Sequence, residues 1–416
     1  MRVRAITVAV VLLLVAATPR VVASGPTLPA NDPFYRYSGS TPLKRIAPGT
    51  VLKHRTVRLA LAPGLTTPVD AEQLLYRTTG QRGEPTVTVT TVLVPTPTSV
   101  PASALANIVE YLSFYDGLGS QCDPSFTLAG GDSGDATYQQ EAQEEALLIA
   151  WYLSQGDIVT VPDFEGTGLH WMAGRESGYA ALDAIKATQA YLRLEPATTK
   201  VGLSGYSGGS VAADWASELA PAYAPDLDIV GVAEGGIPAH YLHHLAYIDG
   251  TDEYSAAIPG ELLGLSRAYG IDLTKYLSPY GRTVVDEISD VCIASAFGRY
   301  PGLTIASIMR PEYADLAHAE PFATVLRAQT MGTARTHPRA PLFMAVGNVD
   351  GIGDGAMVAA DVEALARRYC AQGVAVLYQE YPGASHIQAA AYFEPQTGPF
   401  LQARFAGLPF VSNCGR

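Results

Sequence analysis

A mostly parallel α/β sheet with an inserted, mainly helical cap is the architecture this 416-residue chain predicts. Three observations point to it. Buried-strand runs alternate with helical periods from Ile108 onward, the alternation stops between residues 237 and 330, and it resumes at Leu342. At about 150 residues per domain the length allows two or three domains, or one large core with an insertion. The pattern divides the chain into a signal segment (1–23), a first core part (24–236), a helical cap or lid (237–330) and a second core part (331–416).

In chain order, residues 24–50 are rich in Pro, Gly and Ser and are expected to wrap the surface. Thr86–Val94 is dense in β-branched residues, a strand signal, with Arg55–Leu61 and Gln73–Thr79 as partners. Ile158–Val161 reads as a buried strand. Tyr179, Leu182, Ile185 and Leu192 form an apolar stripe on a helix that Pro196 ends. Lys200–Leu203 is a short strand, Ser210–Leu219 a helix and Ile229–Ala233 another buried strand. Within the insertion, Pro259–Tyr269 is helical through Leu262, Leu263 and Leu265. Leu342–Val346 restores the sheet, Val358, Val362, Leu365 and Tyr369 mark a helix, and Val374, Val376 and Tyr378 share one strand face.

Composition removes several function classes. Hydrophobic residues make up 48% and charged residues 16%, with 40 Gly and 29 Pro, which rules out wholesale disorder, collagen and coiled coil. The 27 basic residues against 40 acidic ones give a net charge of −13, so phosphate backbones and anionic headgroups are repelled. No nucleic-acid partner is expected.

The N-terminus reads as an export signal. Arg2 and Arg4 precede the apolar run Ala5–Ala17, and Val21-Val22-Ala23 resembles a small-residue cleavage site. The run is too short for a membrane helix, which needs about 20 residues. A secreted chain without an integral membrane segment follows. Cys122, Cys292, Cys370 and Cys414 agree with an oxidising destination and predict two disulfides, with three pairings open.

Gly205-Tyr206-Ser207-Gly208-Gly209 matches G-x-S-x-G between a predicted strand and a predicted helix, the setting of a nucleophile elbow. So tight a turn needs glycines beside the serine, lifts its hydroxyl above the sheet and places backbone N–H groups next to it. A serine hydroxyl needs a base, and the base needs an orienting acid, in the chain order Ser, acid, His. Asp350 lies just past the strand Leu342–Val346, and His386 just past the last strand, so Ser207, Asp350 and His386 are the expected catalytic set. Asp354, four residues deeper in a Gly-rich loop, is the second choice. Gly131-Asp132-Ser133-Gly134 imitates a protease loop but lacks upstream partners in good context, so a surface turn is expected. His240, His243 and His244 have helical spacing without a nearby acid, and no metal site is expected. Asp163 and Glu165 either line the site or cap a loop.

Beyond the elbow, an ordered series runs through Asp32-Pro33-Phe34-Tyr35, Tyr76-Arg77-Thr78-Thr79, Tyr223-Ala224-Pro225, Ile229-Val230-Gly231 and Gly235-Gly236. By this series the chain resembles the secretory lipase family, the lipase A type of the α/β-hydrolases, over nearly all of its mature length. The resemblance implies an α/β-hydrolase core, the set Ser207, Asp350 and His386, and an oxyanion hole from Gly208 and Asp116. It also implies the pairs Cys122–Cys292 and Cys370–Cys414, and a cap that shields the site and holds the acyl chain. The loop Asp350–Asp354 departs from the Val-Pro ending of many relatives, and no C-terminal flap like that of the fungal relatives is expected past Arg416.

The expected activity is that of a secreted serine ester hydrolase, a lipase cleaving triacylglycerol or other carboxylic esters, without metal or organic cofactor. Its partner is an ester or lipid substrate, met at a lipid–water interface; the sequence leaves the oligomeric state open, and a monomer suffices. A short-chain carboxylesterase differs only in pocket depth. A peptidase or amidase would share the machinery but needs a peptide pocket, and a binding protein with a vestigial site would not turn over.

Overall fold

The computed structural model describes residues 25–95 and 107–415; the expected signal segment 1–23 lies outside the described residues. Nine strands form one sheet: β1 (Val51–Ala62), β2 (Leu65–Thr79), β3 (Pro85–Leu93), β4 (Asn107–Leu112), β5 (Ile158–Pro162), β6 (Lys200–Tyr206), β7 (Asp228–Gly235), β8 (Leu342–Asn348) and β9 (Val376–Pro382). Their order is β1-β2-β3-β5-β4-β6-β7-β8-β9. The first three are antiparallel to their neighbours, and β5 through β9 run parallel. The sheet is therefore mostly parallel, with an antiparallel edge.

The helices are α1 (Pro124–Thr127), α2 (Ala136–Ser154), α3 (Gly174–Leu192), α4 (Gly208–Tyr223), α5 (Tyr241–Ile248), α6 (Ala257–Tyr269), α7 (Pro279–Ile288), α8 (Ile305–Ile308), α9 (Phe322–Arg327), α10 (Ala359–Ala371) and α11 (His386–Phe405). One core layer packs α3, α4 and α10 on the sheet through Leu182, Ile185, Trp215, Val362 and Tyr369. On the opposite face α2 and α11 bring Ile149, Tyr152, Leu401 and Phe405 against Val109, Val159 and Val161. Because both faces of the sheet are covered, β4 from Ile108 and β5 are buried along their whole length, Glu110 and Thr160 included.

Helices α5 to α9 all fall between β7 and β8, in the stretch where the sequence shows no strand period. Helix α3 ends at Leu192, before Pro196, because Arg193 turns left-handed at φ 58°. The strand expected from Val374 begins at Val376, since the Val374 amide still closes the end of α10 on Tyr369.

Two long helices escaped the sequence reading. The stripe of α2, Tyr138, Glu145, Ile149 and Tyr152, includes a buried acid that breaks the apolar pattern. Helix α11 contains Pro395 and Pro399, which remove two backbone donors. Burial of Phe393, Leu401 and Phe405 outweighs that local preference.

Candidate active site

The chain leaves β6 at Tyr206 and enters α4 at Gly208, so the reversal falls on Ser207 alone. Ser207 sits at φ 51°, ψ −119°, a conformation costing on the order of 1–3 kcal/mol for a residue with a β-carbon. Its amide is anchored to the Gly235 carbonyl at 2.9 Å. A β-carbon on Gly205 would lie 2.3 Å from the Gly209 oxygen, and one on Gly209 would lie 2.0 Å from the Leu112 oxygen. The two outer glycines thus let helix and strand close on each other, as the elbow requires.

Ser207 Oγ lies 2.9 Å from His386 Nε2. His386 opens α11 behind Ser385, which caps the helix reciprocally with Gln388, and its own carbonyl accepts from the Tyr206 hydroxyl. Its Nδ1 lies 2.9 Å from Asp354 Oδ2, and its amide donates to the Asp354 carbonyl at 2.7 Å. Asp354 is fully buried, and its second oxygen, Oδ1, accepts from the amides of Ala356 (2.9 Å) and Met357 (2.6 Å). Hydroxyl, imidazole and acid are joined in one hydrogen-bonded chain.

The expected acid, Asp350, is not in that chain. It is exposed, and its carboxyl accepts from the Ile352 and Gly353 amides and from the Tyr247 hydroxyl. Those donors, the Gly353 amide first, hold it below the usual carboxylate range. Asp350 thus caps a turn past β8, the loop folds back through Gly353, and Asp354 is the carboxyl that reaches His386. A β-carbon on Gly353 would fall 1.9 Å from the Met357 oxygen, so the reversal depends on glycine.

Asp116, just past β4, has φ 23° and its carboxyl covers Gly208: a β-carbon there would meet Oδ1 at 1.7 Å. Among the described residues Asp116 Oδ1 has no hydrogen-bond partner, and burial, then the nearby Glu261, push this carboxyl well above its ordinary range. The amides of Asp116 and Gly208 donate to no acceptor among the described residues. Two free N–H groups beside a serine suit an oxyanion. The Asp116 segment is tied to the insertion by the Ile293 amide on its carbonyl (2.9 Å), by Leu118 on Val291 (2.9 Å) and by the Cys122–Cys292 disulfide. The second disulfide joins Cys370 in α10 to Cys414.

Above Ser207 and His386 opens a cavity of about 700 Å³, within the range of small-molecule sites. Phe114, Trp171, Met172, Ile248, Ile293 and Phe297 give it an apolar wall. Trp171 is locked by α6: a β-carbon on Gly264 would lie 2.5 Å from its carbonyl oxygen, and one on Gly260 2.7 Å from its ring.

The sequence pattern of the secretory lipase family spans residues 135–413. The chain belongs to the secretory lipase family. Candida antarctica lipase A, in its closed state, superposes with a TM-score of 0.83 at 29% identity, covering 94% of this chain and 90% of that one. A secreted triacylglycerol lipase of Malassezia furfur is 31% identical over 403 residues, or 92% of this chain and 77% of its own. A protein of Mycobacterium tuberculosis (strain CDC 1551 / Oshkosh) named as a probable inactive lipase is 32% identical over 396 residues, or 93% of this chain and 85% of its own. The fold is that of an α/β-hydrolase with helical insertions that resemble a lid, and the kinship supports a hydrolase acting on esters. Among the described residues no helix is long and apolar enough to cross a membrane.

In this family member the remaining sequence candidates make structural contacts. Ser133 closes a turn on the Asp135 carbonyl. Asp163 accepts from the amide and hydroxyl of Ser125, and Glu165 accepts from the Gly117 amide at 3.2 Å, so Glu165 props the segment beside Asp116. His240 and His243 stack at 3.6 Å, and His243 pairs with Asp361. His244 instead turns inward, buried against Glu261 and the Ala356 carbonyl. Burial alone would depress this imidazole, but Glu261 and the carbonyl outweigh it and raise it. His244 stood out only as one of three helically spaced histidines, and no local motif singles out Glu261, Tyr247 or Trp171; the partners of His244 and Tyr247 in the acid loop, Ala356 and Asp350, lie more than 100 residues away in the chain.

Proposed function

We propose that this chain is a secreted serine hydrolase of carboxylic esters, with Ser207, His386 and Asp354 as its catalytic triad, and a lipase for triacylglycerol or other long-chain esters. The observation that carries the reading is the chain Ser207–His386–Asp354 at the floor of an apolar cavity. Ser207 Oγ attacks the ester carbonyl carbon while His386 Nε2 takes the hydroxyl proton. Asp354 holds the Nδ1–H tautomer and offsets the charge of the imidazolium. The Gly208 and Asp116 amides receive the oxyanion, each such donor being worth about 3 kcal/mol in related hydrolases. Collapse expels the alcohol, which takes the proton from Nε2 and leaves an acyl ester on Ser207. Water, deprotonated by His386, then attacks that ester and releases the acid. These steps call for neither metal nor organic cofactor.

The apolar wall supports a fatty-acyl substrate over a peptide, whose amides would be left without partners there. The test is turnover of p-nitrophenyl esters from acetate to palmitate beside Ser207→Ala. Hydrolysis extending to long chains and abolished by the substitution is the expected result. Activity confined to short chains would make the protein a carboxylesterase. A flat series equal to the alanine variant would remove ester hydrolysis and leave a binding protein.

A further inference from the structure

Helix α5 of the insertion grips the loop that carries Asp354 at two points. The Tyr247 hydroxyl accepts from the Gly355 amide at 3.0 Å and donates to Asp350 Oδ2 at 2.9 Å. One turn earlier, His244 Nδ1 lies 3.0 Å from the Ala356 carbonyl oxygen. A carbonyl can only accept, so Nδ1 carries a proton and donates it. That carbonyl belongs to the same peptide group as the Met357 amide, which donates to Asp354 Oδ1 at 2.6 Å. A single peptide plane is therefore polarised from one side by His244 and delivers its N–H to Asp354 on the other. Hydrogen bonds in such a series strengthen one another in a low-dielectric interior.

The series continues outward. His244 Nε2 lies 2.9 Å from Glu261 Oε1 on α6, and the Tyr241 hydroxyl donates to Glu261 Oε2. His244 is 4% exposed and Glu261 2%, so water does not compete for these bonds. Both side chains also line the cavity above Ser207.

We infer that His244 is a positioning residue for the triad acid: through the Ala356–Met357 peptide it fixes the Asp354 carboxyl on His386, with Glu261 and Tyr241 holding the imidazole in place. The cap is thereby part of the hydrolytic machinery as well as a cover, because removing it would remove the outer half of the series. A purely structural His244–Glu261 pair would stabilise the packing of α5 on α6 and leave Asp354 alone. This inference rests on the triad proposed above.

Two substitutions separate the roles, because asparagine can present an amide N–H where Nδ1 lies and glutamine where Nε2 lies. His244→Asn keeps the donor to Ala356 and loses Glu261; His244→Gln does the reverse. The inference expects kcat on a p-nitrophenyl ester to fall at least about tenfold in His244→Gln with KM within about twofold, since small misplacements of catalytic groups cost that much or more. His244→Asn is expected to stay within about threefold of the parent. Melting curves check that both variants are folded at the assay temperature. If His244→Asn is not, His244→Asn/Glu261→Gln takes its place, since it removes the unpaired buried carboxyl.

The second readout is the downfield proton NMR signal of His386 Nδ1–H, identified by its loss in Asp354→Asn. It should persist in His244→Asn and shift or broaden in His244→Gln. Equal behaviour of the two variants in kcat and in this signal overturns the inference. A parent without ester turnover would sink the functional reading instead, and the proton signal alone would still decide the role of His244.

Discussion

His386 is bound to Asp354 twice, side chain to side chain at 2.9 Å and amide to carbonyl at 2.7 Å. The start of α11 and the acid loop therefore move as one unit, and the imidazole is oriented before any substrate arrives. Asp350, four residues earlier and exposed, makes no contact with the imidazole.

The pair sets up a discriminating comparison. Asp354→Asn should lower kcat by about 10⁴-fold, the cost of holding the wrong imidazole tautomer in related triads. Asp350→Asn should change kcat less than about threefold, because it removes only a turn cap. Steady-state kinetics on one chromogenic ester decides between them, and equal losses would reverse the assignment of the acid.

Stability should fall as pH rises from mildly acid to mildly alkaline. Burial pushes Glu141 and Glu394 up to about 8 and Glu145 and Asp163 up to about 7. Between the unfolded values near 4 and these folded values, the folded state binds more protons than the unfolded one. The slope of stability against pH is therefore negative, and the contribution present below about pH 4 is lost as each group ionises. Thermal melts at pH 5 and pH 8.5 should differ by at least about 5 °C in favour of pH 5. A higher melting temperature at pH 8.5 would show that these carboxyls are charged in the fold.

The two disulfides should separate stability from activity. Removing Cys122–Cys292 by a double alanine substitution should cost about 2–5 kcal/mol and also lower kcat, since the bond anchors the Asp116 segment. Removing Cys370–Cys414, which joins α10 to the C-terminal segment, should cost stability while leaving kcat within about threefold. Denaturant melts and kinetics on the same samples give both numbers, and an unchanged kcat in the first variant would detach the bond from the site.

Gly264→Ala places a methyl against the Trp171 carbonyl at 2.5 Å. Overpacking of that kind costs about 1–3 kcal/mol. Because Trp171 lines the cavity, the preferred acyl length should shift along the ester series while the shortest ester reacts almost as before. An unchanged profile would mean that Trp171 does not touch the chain.

The sequence by itself determined the elements whose signals are local. Alternating runs announced the parallel sheet, and the strand–glycine–helix setting marked Ser207, because so tight a turn between strand and helix needs bare positions at 205 and 209. His386 stood out as the histidine just past the last strand. Helices α2 and α11 were hidden by a buried acid and two prolines, where long-range burial overrides propensity. The choice between Asp350 and Asp354 was beyond it for the same reason. Both are acids in a glycine-rich loop, and which one faces the imidazole depends on a turn closed by Tyr247 and a peptide held by His244, both from a helix more than 100 residues earlier in the chain. Spacing records what a residue follows; only the packed cap decides which way its side chain is sent.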